Sequence, residues 1–260
     1  MAKFLAVDER QIIRNSEKLH MCDVDIAEAM GIQRQKVTSL LRKYRKIRYS
    51  NTSIITHRIA GDMHVQTYRL SPKVMCKRLQ WCNQNRWRDW TKVMFTDELV
   101  IQNSGKRIMI WGGVTINGML DLVIIDGLYN ARNFIDNILN SVVKPYLRSQ
   151  HDLIYQQDGV AAHKAEITQT WFRDNHVQLL EWPPQSPDLS IMDTVWTLLK
   201  KEMNVDMVLL KCSNRSDLIQ LVREAWERLR LNQHKLLPQI YSDMTLRVQE
   251  CGILNGGWTQ

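Results

Sequence analysis

Two short β-rich runs that each end on an aspartate constrain this chain more than any other feature. Lys92-Val93-Met94-Phe95-Thr96-Asp97 and Leu153-Ile154-Tyr155-Gln156-Gln157-Asp158 offer apolar residues for a sheet to bury, then an acid where the run stops. A strand end holds a side chain firmly while leaving its tip accessible, so acids on two neighbouring strands can act together. Between and after these runs the pattern alternates. Ile108 to Ile116 and Met119 to Asp126 predict two further strands joined by Asn117-Gly118, a two-residue hairpin signal. A helix is expected from about Asn130 to Leu147, with Phe134, Ile135, Ile138, Leu139 and Val142 on one face. A second helix near Ala165 to Asp174, a strand from Val177 to Trp182 and a helix from near Ile191 complete the series, and the last carries Asp193.

The N-terminal part has a different character. Ile26-Ala27-Glu28-Ala29-Met30-Gly31-Ile32, followed by Gln33 through Lys43, has the look of a helix-turn-helix. Ala27 is small where two helices would touch, Gly31 suits a left-handed turn, and Ile32, Val37, Leu40 and Leu41 supply a buried stripe. Gln33, Arg34, Lys36, Ser39 and Arg42 are then left for a major groove or its phosphates. The run Arg34, Lys36, Arg42, Lys43, Arg45, Lys46, Arg48 contains no acid, which favours a polyanion over the alternative of a helical hairpin with a solvated basic face. The chain as a whole carries a net charge of +8, in keeping with nucleic acid as partner. The organisation expected is a helix-turn-helix DNA-binding domain over 1–49, a linker over 50–72, and a catalytic domain over 73–260 whose first helix opens at Ser71-Pro72. Three strands in hairpin order, then alternating helices and strands, fit an α/β domain of the ribonuclease H-like kind, a mixed sheet with flanking helices.

Five scattered cysteines, Cys22, Cys76, Cys82, Cys212 and Cys251, show no zinc or disulfide spacing and predict reduced thiols. No apolar stretch approaches the roughly 20 residues of a membrane span, so no membrane partner is expected.

The three acids have ordinary alternatives. Asp97 and Asp158 could be turn acids, and Ser190-x-x-Asp193 matches a helix capping box. His163 could be a hydrogen-bonded structural residue. The catalytic alternative is that three converging carboxylates hold magnesium for phosphodiester cleavage, which needs hard oxygen ligands. The surrounding words favour it. Phe95-Thr96-Asp97-Glu98, Ile110-Trp111-Gly112-Gly113, Gln156-Gln157-Asp158-Gly159-Val160-Ala161-Ala162-His163 and Trp182-Pro183-Pro184-Gln185-Ser186-Pro187-Asp188 leading to Asp193 and Trp196 occur in an order that resembles the mariner superfamily of transposases. Thirty-four residues separate Asp158 from Asp193, similar to that family's second spacing.

The resemblance covers roughly Leu70 to the C-terminus. It implies that Asp97, Asp158 and Asp193 bind Mg2+ or Mn2+, that Glu98 and His163 support them, and that Trp196 packs beneath. It further implies a nuclear DNA transposase that binds terminal inverted repeats, cleaves the ends and joins them to target double-stranded DNA, with a homodimer as one assembly. The alternative is a transposon-derived DNA-binding protein without activity. One departure stands out: thirteen residues separate Asp97 from Trp111, where relatives carry a long excursion. Val160, Ala162, Ile191 and Thr194 also replace residues the pattern would have more polar or proline.

Overall fold

The structure, a computed structural model, describes Ile12, Asn15 and residues 21–49, 70–103, 106–150, 152–203 and 214–259, with the side chains of 42–49 and 103 left out. The expected linker therefore lies almost wholly outside the described residues. Contacts divide the chain into two compact units. One comprises Met1–Trp87, Pro183–Ser186 and Arg247–Gln260, and the other Arg88–Trp182 and Pro187–Leu246.

In the first unit, helix α1 (Asp23–Met30) ends at Gly31, whose φ of 61° turns the chain and lets its N–H reach the Ala27 and Glu28 carbonyls. Helix α2 (Arg34–Tyr49) follows. Ile12, Ile26, Ala27, Val37 and Leu41 form their shared core, flanked by Met21, Met30, Ile32 and Leu40. Asp23 fastens the pair by accepting from Arg34 Nε at 3.2 Å and from the Thr38 hydroxyl. Helix α3 (Pro72–Asn85) is capped by Ser71, which accepts the Val74 N–H, with Pro72 at its first position. The fully buried Arg78 of α3 donates Nε to the Gly256 carbonyl at 2.8 Å, Nη2 to that of Gly257 at 2.9 Å and Nη1 to that of Gln185 at 3.1 Å. Its guanidinium also lies over the Trp258 ring. Three remote chain segments thus meet on one cation. Cys22 and Cys76 are bonded to each other, which corrects the expectation of reduced thiols for that pair; Cys82 and Cys251 are buried and take part in no disulfide.

The second unit is built on a five-stranded mixed sheet. Strands β1 (Val93–Asn103) and β2 (Lys106–Thr115) pair antiparallel from Phe95↔Val114 to Asn103↔Lys106. β1 therefore continues well past Asp97 instead of ending on it, because the apolar alternation of Leu99 and Ile101 finds partners in Ile110 and Ile108. The predicted hairpin at Asn117-Gly118 is shifted by one residue. Thr115 pairs with Gly118, which opens β3 (Gly118–Met119), and the Thr115 hydroxyl holds the turn by donating to the Gly118 carbonyl and accepting from Asn117 N–H. The expected second strand is interrupted, with β4 (Val123–Ile125) pairing further along β2.

β5 (Ile154–Gln156) lies parallel to β1 on the other side, giving the order β3-β2-β1-β5 with β4 also on β2. The strand expected over Val177–Trp182 reduces to one bridge, Tyr155↔Leu179. The helix over 130–147 is continuous but changes pitch: α4 (Ala131–Phe134), a π segment (Ile135–Val143), then α5 (Lys144–Ser149). Pro145 cannot donate a helical hydrogen bond, and just before it Lys144 N–H reaches back five residues to Leu139. Helices α6 (Ala161–Lys164), α7 (Glu166–Asp174), α8 (Met192–Glu202), α9 (Arg215–Leu231) and α10 (Gln233–Ile253) complete the order.

The core of this unit joins Met94, Trp111, Phe134, Ile138, Leu139, Tyr155 and Phe172. No described helix is long and apolar enough to cross a membrane.

Candidate active site

Asp97 sits inside β1 directly opposite Gly112 of β2. A Cβ on Gly112 would meet Trp196 Cη2 at 2.8 Å and Trp226 Cη2 at 2.9 Å, closer than such atoms approach. The missing side chain lets the indoles of α8 and α9 press against the sheet. That contact brings α8 to Asp97. Trp196 donates its indole N–H to Asp97 Oδ2 at 2.9 Å, and Asp193, three residues earlier on the same face of α8, is close enough to act on the Asp97 charge. Burial is the largest influence on Asp97. With Glu98 and Asp193 adding to it against the Trp196 hydrogen bond, it pushes the carboxyl up to about 7. Among the described residues no cation pairs with Asp97.

Asp193 lies in the first turn of α8, behind a cap residue, Ile191, that makes no side-chain cap bond; the Ser190 hydroxyl accepts from Met192 N–H. Pro187–Leu189 form the short 3-10 turn leading in, and Leu189 and Ile191 are buried.

Asp158 follows β5 by two residues. β5 is fixed to β1 by Thr96, whose hydroxyl donates to the Gln156 carbonyl at 2.8 Å and whose N–H donates to Gln156 Oε1 at 3.3 Å. The Asp158 side chain is 45% exposed and is turned towards His163 of α6, with Nδ1 to Oδ1 at 2.9 Å.

Successive strand residues face opposite ways, so Glu98 points away from Asp97. It is buried beside the same histidine: His163 Nε2 is 3.4 Å from Glu98 Oε1 and 2.8 Å from the Tyr129 oxygen, while Tyr129 donates to Glu98 at 2.5 Å. A protonated ring satisfies every member, with Nδ1–H on Asp158, Nε2–H on Tyr129 and the phenol on Glu98. Burial works to lower the His163 pKa, but hydrogen bonds to Asp158 and Glu98 and their charges raise it to about 9. For Asp158 the order is reversed. Burial would raise its pKa, and the His163 and Val160 hydrogen bonds with the His163 and Lys164 charges outweigh that and lower it. Tyr129 is raised by burial and by Glu98.

Among the described residues, Glu98, Asp158 and His163 bring ligand atoms within 4.8 Å of one another, whereas Asp97, Asp158 and Asp193 do not form such a group. The Asp97 side offers only hard oxygens around a buried, uncompensated carboxyl, which fits a divalent cation.

Of the N-terminal candidates, Gln33, Lys36 and Ser39 are exposed, and Arg34 is half-buried in its pair with Asp23. Arg42, Lys43, Arg45, Lys46 and Arg48 fall within α2, with side chains outside the described residues. Sequence reasoning placed Trp196 in the core but missed its bond to Asp97, and it missed Tyr129 altogether. The three-residue spacing from Asp193 was the available signal for the tryptophan; nothing local marks Tyr129.

Residues 84–213 match the family model of the DDE superfamily endonuclease. The chain belongs to that family. Within it the chain is a mariner-superfamily transposase, similar to the Tc3 transposase of Caenorhabditis elegans at 25% identity over 93% of this chain and 78% of the relative. The Tc1 transposase of the same organism is 22% identical, covering 89% and 93%. The fold of this DDE enzyme family extends to solved structures. The Mos1 transposase catalytic domain with Raltegravir and Mg aligns at TM-score 0.61 and 17% identity, over 74% of this chain and all of that one. The mariner Mos1 paired end complex with Mg aligns at TM-score 0.65 and 13% identity, over all of this chain and 82% of that one. The ribonuclease H-like sheet with flanking helices agrees with the expectation.

Proposed function

We propose that this transposase binds the terminal inverted repeats of its element, cleaves the ends with the help of magnesium or manganese held by Asp97, Asp158 and Asp193, and joins the 3′ ends to target DNA in the nucleus. The observation that carries this is the Trp196 bond, which places the helix of Asp193 against the strand of Asp97, whose carboxyl is pushed up to about 7 by burial with Glu98 and Asp193 adding to it. Asp97, Asp158 and Asp193 would hold the divalent ion, which would supply Lewis-acid polarisation of the phosphodiester and activation of the attacking hydroxyl. Trp196 fixes the rotamer of Asp97, the Pro187–Leu189 turn presents α8, and His163 holds Asp158 in reserve until a cation competes for its carboxylate. Gln33, Lys36 and Ser39 are the exposed groups offered to DNA, joined by the basic run of α2. Pairing of two element ends would call for two copies of the chain.

The test is nicking of cognate terminal DNA with magnesium or manganese. Cleavage that disappears in Asp158→Ala and Asp193→Ala supports the enzyme. Binding without nicking under either metal supports the second reading, a transposon-derived DNA-binding protein. That reading is favoured by the tight β1–β2 connection, where Asn103 already pairs with Lys106 and leaves no room for the longer excursion that the family resemblance implies.

A further inference from the structure

Cys22 caps the N-terminus of α1, its sulfur accepting the Asp25 N–H at 3.5 Å. Cys76, on α3, lies with its Cα 5.2 Å from that of Cys22. Asp25 points Oδ2 at the Cys76 sulfur at 3.7 Å, and Gln80, one helical turn beyond Cys76, donates its amide Nε2–H to the same oxygen at 3.5 Å. The two sulfurs and the carboxylate oxygen all fall within 4.8 Å of one another. Among the described residues Asp25 has no lysine or arginine partner.

A disulfide makes no use of this carboxylate. Bonded sulfurs carry no proton and no positive charge, so Asp25 would face them at an electrostatic loss. A reduced pair changes that, because each thiol can donate a proton, and a divalent cation can turn all three groups into ligands. The donor set selects the ion: two thiolates are soft and exclude magnesium or calcium, whereas zinc accepts sulfur with one carboxylate. We propose that Cys22, Asp25 and Cys76, when reduced, form a zinc site that clasps α1 to α3, with water or the Gln80 amide oxygen in the fourth position. Opening the disulfide takes two electrons and two protons from a dithiol reductant, which leaves as its own disulfide. Zinc then displaces the two thiol protons. The site closes a loop across a sequence separation of 54 residues and so stabilises the placement of the helical pair against α3. It is independent of the catalytic assignment.

The experiment uses the full chain, reduced with a phosphine and held in excess magnesium so that hard-oxygen sites are occupied. Zinc retained after gel filtration is measured, and cobalt substitution is followed by thiolate-to-metal charge-transfer absorption. One zinc per chain is expected, with affinity falling at least about a hundredfold in Cys22→Ser and Cys76→Ser. Asp25→Asn should weaken binding about 10–100-fold while preserving the sulfur absorption, and Cys82→Ser should change neither. A second measurement needs no variant: zinc should protect Cys22 and Cys76 of the wild-type chain from alkylation, mapped by mass spectrometry. Absence of zinc on the reduced chain, retention of zinc by the two serine variants, or a Cys22–Cys76 bond that survives excess phosphine would each overturn the proposal.

Discussion

The two sides of β1 solve the same electrostatic problem in opposite ways. Behind the strand, Glu98 and Asp158 share a buried histidine, which is held protonated and in turn keeps Asp158 below the usual carboxylate range. In front, Asp97 is largely buried near Asp193; the Trp196 indole N–H and the Glu98 backbone N–H only partly offset this, and its pKa rises to about 7. The same adjacent pair of acids, Asp97-Glu98, is thus split by strand alternation into a side that carries its own cation and a side that lacks one. Behind the strand, His163 neutralises the acids from within and holds the Asp158 carboxylate in place. A carboxyl left short of a cation is poised for one from solution.

The comparison can be broken most severely through the acids in front. Asp193→Ala or Asp97→Asn should reduce metal-dependent nicking about a thousandfold or more, since each removes several kcal/mol of metal-held stabilisation, whereas Glu98→Gln should leave most of it; gel assays on cognate DNA decide between them. Gly112→Ala comes next. Its new methyl collides with Trp196 and Trp226 and should cost about 1–3 kcal/mol of stability, read by denaturant unfolding, with nicking lost in proportion as α8 is pushed off Asp97. Trp196→Phe keeps most of the packing and deletes the bond to Asp97. A loss of about 10–100-fold in nicking or metal affinity is expected, with DNA binding unchanged.

The smallest effect sharpens the contrast through pH. Asp97 has a folded pKa raised from 3.8 to about 7, so its contribution to stability is fully present below pH 4 and lost as pH rises through 7. His163, raised from 6.5 to about 9, contributes fully below 6.5 and loses that as pH rises through 9. Asp158 is lowered, so its contribution is present above pH 4 and lost on acidification. Thermal melts without metal should therefore decline in two steps above pH 4. Asp97→Asn should abolish the lower step and His163→Asn the upper, and manganese should suppress only the lower.

Much of this was legible in the sequence, and the failures follow a physical rule. The β1 and β5 runs, the Gly31 turn and the helix bearing Asp193 were visible because local periodicity and turn chemistry specify them. Partner strands decide the rest. β1 runs past Asp97 because β2 offers Ile108 and Ile110, and the run from Val177 to Trp182 contributes only one bridge because β5 is three residues long. The three aspartates are proposed from the words around them, and the division between the two faces of β1 was not legible there. Tyr129, Trp196 and Arg78 act through contacts 31, 99 and 178 residues away, which no local pattern encodes. Gly112 was read as part of a motif, and only packing shows that two indoles require it.

Anomalous diffraction from crystals soaked in manganese tests the central claim most directly, because it reports which side of β1 takes the ion. The account predicts manganese at about 2.1 Å from carboxylate oxygens of Asp97 and Asp193, with Asp158 rotated off His163 to join them. Manganese seated instead among Glu98, Asp158 and His163, with Asp97 still bound only to Trp196, would contradict it.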